Sequence, residues 1–313
     1  MGKRNYNKIL YFPLDALLHS MALLPLRVLY VLSDFIYVLV YRIVGYRRKI
    51  VRRNLEESFP AKSKKEIDTM EKGFYHFFAD YFVETVKLLH VSDKEMRRRI
   101  VFHDVDIIDR YFDEGRSMLI YAAHYGNWEW LQSVTLWSRH KAGDVIFGNV
   151  YRPLKNEWFD AFFLKIRNRF NTVCHPKKTV IRDLVRLRRD GLLSITGFMS
   201  DQHPSLNESD HVIRFLNHDT AIITGSEQLA RKLNYVVLYF ELKRRKRGYY
   251  DCHIRLITDD VKSWPEYAVS DEYARRLEAQ INENPSLWLW THDRWKHKVK
   301  PAPVAQNSED NHE

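Results

Sequence analysis

His124 and Glu129 carry the most legible chemistry in this chain, five positions apart in Tyr121-Ala122-Ala123-His124-Tyr125-Gly126-Asn127-Trp128-Glu129-Trp130. An apolar strand pattern from Ser117 to Ala123 gives way there to a helical pattern from Asn127. A neutral imidazole can take the proton of an alcohol as that alcohol attacks a carbonyl, while a carboxylate on its other ring nitrogen fixes the tautomer and stabilises the imidazolium. Glu129 is the expected partner. Gly126 permits a sharp turn or a close substrate approach, and Asn127 offers a helix cap. No G-x-S-x-G elbow and no strong serine or cysteine nucleophile stands beside the pair, which points to direct attack by a bound acceptor alcohol. Spacing alone equally allows a plainer arrangement, a polar residue ending a strand and a solvated carboxylate in a first helical turn.

His124-Tyr125-Gly126-Asn127-Trp128-Glu129 resembles the signature of the bacterial lipid A late acyltransferases, a branch of the lysophospholipid acyltransferase superfamily. The broader superfamily usually carries aspartate at the last position, and glutamate fits this branch. Phe147-Gly148-Asn149-Val150-Tyr151-Arg152-Pro153-Leu154-Lys155-Asn156 resembles the second block of that family, and Ser200-Asp201-Gln202-His203-Pro204 the third. Pro285 to Lys296 resembles its closing segment, with Trp290-Thr291-His292-Asp293-Arg294-Trp295-Lys296 close to the usual Trp-x-His-x-Arg-Trp-Lys. The likeness runs from about residue 20 to residue 298.

The resemblance implies an O-acyltransferase of glycerolipid acyltransferase-like fold. It would move a fatty acyl group from acyl carrier protein or coenzyme A to a hydroxyl of a lipid A precursor, with no further cofactor. His124 would be the general base and Glu129 its helper, with Asn127, Arg152, Asp201 and Gln202 among the substrate contacts. Arg152 could grip a phosphate bidentately or stabilise the oxyanion, and without the resemblance it reads as a structural ion pair. Asp201 could orient Arg152 or the acceptor, or cap the next turn. Another glycolipid or an aminolipid would suit the same motif. A basic, non-catalytic membrane- or nucleic-acid-binding protein is the rival from outside the class.

The elements that must position these groups alternate. Strand patterns at Asp144 to Val150 and Leu192 to Phe198 are separated by helical patterns around Glu157 to Asn168 and Thr179 to Arg189. The expected fold is therefore α/β, a mixed central sheet flanked by helices. Ser63-Lys64-Lys65-Glu66 and Ser92-Asp93-Lys94-Glu95 have the form of capping boxes. The first opens a helix whose Ile67, Met70, Phe74, Phe77, Phe78, Tyr81 and Leu88 form a stripe, either core or a wall of an acyl-chain channel. A helix after Gly225 precedes a strand hairpin, Tyr235 to Leu242 and Tyr249 to Ile257. Its turn Lys243-Arg244-Arg245-Lys246-Arg247-Gly248 is a solvated loop or a contact for phospholipid or carrier protein. A surface helix follows at Asp271 to Asn282.

A chain of 313 residues without internal repeats fits one catalytic domain, expected over residues 54–300, with a disordered polar tail at 301–313. The net charge of +10 favours acidic partners without choosing among them. Cys174 and Cys252 are too few for a disulfide framework. His203, His211, His218 and Cys174-His175 match no zinc spacing, so no metal is expected. Trp288, Trp290 and Trp295 among basic residues suit base stacking, a membrane interface or a core anchor.

Residues 1–53 are expected to be a hydrophobic, membrane-associating helical segment. Val28 to Val44 is too short and, with Asp34, too polar for a clean span, so it crosses the bilayer or lies in its interface. Arg47, Arg48, Lys49, Arg52 and Arg53 follow directly. They either orient a span or bind anionic headgroups, and both readings place the body on the cytoplasmic face of the inner membrane.

Overall fold

All five residues of Met118–Ala122 are buried, as an uninterrupted apolar run must be when a strand is covered on both faces. This run is the second of nine strands in the described residues 8–204, 211–297 and 299 of the computed structural model. They are β1 (Ile100–His103), β2 (Met118–Ala122), β3 (Ile146–Tyr151), β4 (Val173–Pro176), β5 (Ser194–Met199), β6 (Val212–Phe215), β7 (His218–Ala221), β8 (Val236–Lys246) and β9 (Tyr249–Thr258). Seven form one sheet in the order β1-β9-β8-β2-β5-β3-β4, and β6 and β7 make a separate hairpin. Every pair in the large sheet is parallel except β8 with β9, so the sheet is mixed, as expected.

The helices are α1 (Lys8–Leu23), α2 (Leu26–Tyr37), α3 (Arg48–Ser58), α4 (Lys64–Lys87), α5 (Asp93–Arg99), α6 (Asp106–Asp113), α7 (Glu157–Arg167), α8 (Val180–Arg189), α9 (Gly225–Leu233) and α10 (Ala268–Glu283). The capping box at Ser63 is complete, with Ser63 accepting from the Glu66 amide and Glu66 accepting from the Ser63 amide at 2.8 Å. At Ser92 only half forms, because the Glu95 carboxylate turns to Arg99 at 2.7 Å. On α4 the stripe is mostly core: Ile67, Phe74 and Phe77 are buried, as is Leu88 just beyond. Tyr81 instead faces a cavity.

The N-terminal segment departs from a single helix. α2 ends at Tyr37, a π-helical turn covers Val38–Ile43, and α3 leaves at 86° to the preceding helix. No single described helix is long and apolar enough to cross a membrane. Leu26, Leu29, Ser33 and Tyr37 are the buried face of α2, and Ser33 donates to Asp80 of α4 at 2.6 Å. Asp34 pairs with Arg247 of the β8–β9 turn at 2.6 Å, and Arg247 also grips Asp80. Arg247 of the basic turn therefore ties α2 and α4 to the sheet, because the buried Asp80 carboxylate, removed from water, needs a cationic partner. Four arginines of the basic cluster after Tyr46 likewise have partners within the chain. Arg48 meets Glu71 at 3.0 Å, Arg52 meets Glu56 and Glu71, Arg53 meets Asp293, and Arg47 donates to the Thr291 carbonyl. The polar tail at 301–313 lies outside the described residues.

Candidate active site

Parallel β2, β5 and β3 run in register, Ala122 beside Met199 and Ile146 beside Ser194, so their C-terminal ends open on one rim. Ligands of open α/β sheets bind at that edge. His124 leaves β2 there, Arg152 leaves β3, and Asp201 and Gln202 leave β5. A cavity of about 850 Å³ opens at this rim, lined by His124, Glu129, Arg152 and Gln202 and floored by apolar side chains. That volume lies within the range of about 300–1,000 Å³ typical of small-ligand sites.

The loop carrying His124 is pinned by the C-terminal segment. The Leu289 amide donates to the His124 carbonyl at 3.0 Å, and the Gly126 amide to the Leu287 carbonyl at 2.9 Å. Gly126 has φ +57°, and a Cβ there would fall 2.7 Å from Leu242, so this turn needs glycine on both counts. Trp288 and Trp290 are buried within this support, which makes them core anchors and leaves them no free face for a base or a lipid.

The partner of the imidazole is Asp201. Its Oδ1 lies 2.8 Å from His124 Nδ1, while Oδ2 accepts from the His124 amide at 3.0 Å and from Trp288 Nε1 at 2.9 Å. Burial alone would push the Asp201 carboxyl up, but the charge of His124 and the hydrogen bonds from His124 and Trp288 outweigh it and hold it at about 2. An ionised acceptor at Nδ1 sets the tautomer with Nδ1–H, leaving the Nε2 lone pair to the cavity, where the Gln202 amide lies 3.3 Å away.

Glu129 does not meet the imidazole. It is buried and forms a two-pronged ion pair with Arg167 at the end of α7, at 2.9 and 2.6 Å. The reason is local: Trp128–Leu136 is a 3-10 helix, and it carries Glu129 toward α7 instead of back toward the imidazole. Asn127 also differs from expectation. Its side chain caps nothing, has no exposed surface, and donates to Glu84 of α4 at 2.8 Å, so it supports the loop from behind. Asp201 is likewise only 5% exposed, with its carboxylate turned to His124 and Trp288. Arg152 is exposed on the cavity rim and makes no ion pair among the described residues.

Arg167 and Glu84 went unremarked in the sequence. Arg167 stands 38 positions from Glu129, and no local spacing links the two. The other histidines are scattered: His211 bonds Asp271, His218 stacks on Trp295, and His292 accepts from the His203 amide. No described group of three His, Cys, Asp or Glu side chains could hold a metal ion.

A histidine held by a buried aspartate at the mouth of a largely apolar cavity suits proton abstraction from a hydroxyl of an amphiphilic substrate. The profile of the family described as bacterial lipid A biosynthesis acyltransferase matches residues 5–297, and the chain belongs to that family of acyltransferases. It is 23% identical over 287 residues to the lipid A biosynthesis palmitoleoyltransferase of Escherichia coli (strain K12), covering 91% of this chain and 89% of that one. The same figures hold for a lipid A biosynthesis acyltransferase of Shigella flexneri.

Proposed function

We propose that this protein transfers a fatty acyl group from an acyl thioester, carried on acyl carrier protein or coenzyme A, to a hydroxyl of a lipid A precursor. The observation that carries the reading is His124, whose Nδ1 is held by a buried aspartate and whose Nε2 faces an apolar cavity. The acceptor hydroxyl displaces the Gln202 amide from Nε2 and gives its proton there as its oxygen attacks the thioester carbonyl. The C–O bond forms, the C–S bond breaks, and the imidazolium returns the proton to the leaving thiolate.

Glu129 serves by fixing Arg167 in the cavity wall, where three of five guanidinium donors remain for the oxyanion or the thioester carrier. Arg152, exposed and without an ion pair at the rim, binds a phosphate of the acceptor. The chain works at the inner membrane, on its cytoplasmic face; the exposed apolar side of its N-terminal helices supports the membrane contact.

Mass spectrometry of the lipid products tests this. Detergent-solubilised protein incubated with mixed acyl-acyl carrier proteins and a tetra-acylated Kdo-lipid A precursor is expected to add one acyl chain. The folded His124→Ala variant is expected to lose this transfer at least about a hundredfold. Near-wild-type turnover by His124→Ala would overturn the mechanism, and thioester consumption without acylated lipid A would redirect the acceptor.

A further inference from the structure

Two glycines of the central sheet lie side by side with opposite reasons for being there. At Gly148 on β3 a Cβ would meet the His175 ring at 2.9 Å and Thr196 Oγ1 at 3.2 Å, so close packing excludes any side chain. At Gly197 on β5 the only neighbour within 4 Å of such a Cβ is the Gly148 carbonyl oxygen at 3.7 Å, an ordinary contact, and φ is not positive. A glycine inside a strand is destabilising by roughly 0.5–1 kcal/mol relative to alanine, and it marks either a bend or the close approach of something else. Neither backbone conformation nor a protein neighbour demands it here.

What remains is the space above it. Gly197 sits between β2 and β3 in the middle of a seven-stranded sheet, yet it is only half-buried because it lines the cavity. It pairs with Ile120, two residues before the end of β2 and four before His124, so it lies deeper along the sheet than the imidazole at the rim. Ile120, Ile195, Phe147, Phe240 and Leu131 line the same cavity with apolar side chains.

We infer that Gly197 is a specificity-determining residue: its missing side chain sets the depth of the slot and so the longest acyl chain the enzyme transfers. The inference rests on the acyl-transfer reading. A chain whose thioester carbonyl lies at His124 runs down over Gly197, and any side chain there projects into its path.

The test uses full-length Gly197→Ala and Gly197→Leu, with a graded series of acyl-acyl carrier proteins from decanoyl to hexadecanoyl and the same precursor. For Gly197→Ala the Tm is expected to match or exceed that of the wild type. Its hexadecanoyl-to-decanoyl ratio of kcat/KM is expected to fall about tenfold or more, with Gly197→Leu steeper. An unchanged ratio, or an equal loss at every length, in a variant of wild-type Tm overturns the inference. Should Gly197→Leu fail to fold, Gly197→Ala decides alone. No transfer by the wild type from any donor would overturn the functional reading itself, a result distinct from an unchanged ratio.

Discussion

The hydrogen-bonded pair His124–Asp201 joins two side chains whose burial differs sharply. The imidazole is partly open to the cavity, while the carboxylate behind it is almost fully enclosed and has four hydrogen-bonding lone-pair sites to satisfy. Because the folded carboxyl sits near 2, below its ordinary value of 3.8, it contributes stability that is fully present above that ordinary value and lost as pH falls from about 4 to about 2. The shift corresponds to about 2 kcal/mol. Asp201→Asn is expected to lose stability of that order at neutral pH and to flatten this acid limb, read by urea unfolding across pH. Its kcat is expected to drop on the order of a hundredfold or more, because an amide can turn its NH2 toward Nδ1 and favour the wrong tautomer. A wild-type kcat in that variant would remove Asp201 from the mechanism.

Helix α4 links the N-terminal helices to the catalytic loop through Glu84. Its carboxylate accepts from Asn127 at 2.8 Å, from Tyr30 of α2 at 2.9 Å and from Tyr250 of β9 at 3.2 Å. Burial pushes it up to about 7, with the charge of Asp80 adding to the shift and the hydrogen bonds from Asn127, Tyr30 and Tyr250 opposing it. The folded protein therefore holds this proton more tightly than the unfolded chain, whose glutamate titrates near 4.5. Stability falls as pH rises from about 4.5 to about 7, by on the order of 3 kcal/mol, and levels off above. Glu84→Gln is expected to abolish that slope and to raise stability at pH 8. A variant that retains the slope would place the proton elsewhere.

Across the whole molecule, the apolar residues left exposed gather on the N-terminal helices. Phe12 is 69% exposed on α1, Phe35 is 68% exposed on α2, and Ile43 is 73% exposed on the π-helical turn. Exposed apolar side chains gathered on one segment mark an interaction site, and we propose that this face meets the bilayer, lying in its interface or entering it through the bent pair Leu26–Ile43 and Arg48–Ser58. The combined variant Phe12→Asp, Phe35→Asp and Ile43→Asp is expected to keep its Tm, since none of the three is core. Its partition onto vesicles containing anionic lipid is expected to fall at least about tenfold, as each side chain withheld from apolar surroundings forfeits roughly 1.5–3 kcal/mol. Undiminished flotation with vesicles would refute this face as the contact.

Local rules settled most of the elements. Apolar runs and helical periodicity placed β2, β3, β5, α7, α8 and α9 within a few residues, and the strand ends put His124, Arg152 and Asp201 on one rim. Strands as short as β1 and β4, with four residues each, carry too little pattern to stand out. Partnership was a different matter. A carboxylate five positions from a histidine is near it in sequence, but the 3-10 turn between them sends Glu129 to Arg167, and a residue 77 positions away takes the imidazole. Likewise a basic run reads as solvated until the fold brings Asp34 and Asp80 against it. Sequence determined the backbone form of the longer patterned segments, because that depends on neighbours a few bonds away. Tertiary structure alone decided which charge meets which and where a cavity remains, because both depend on groups that only folding brings within hydrogen-bonding distance.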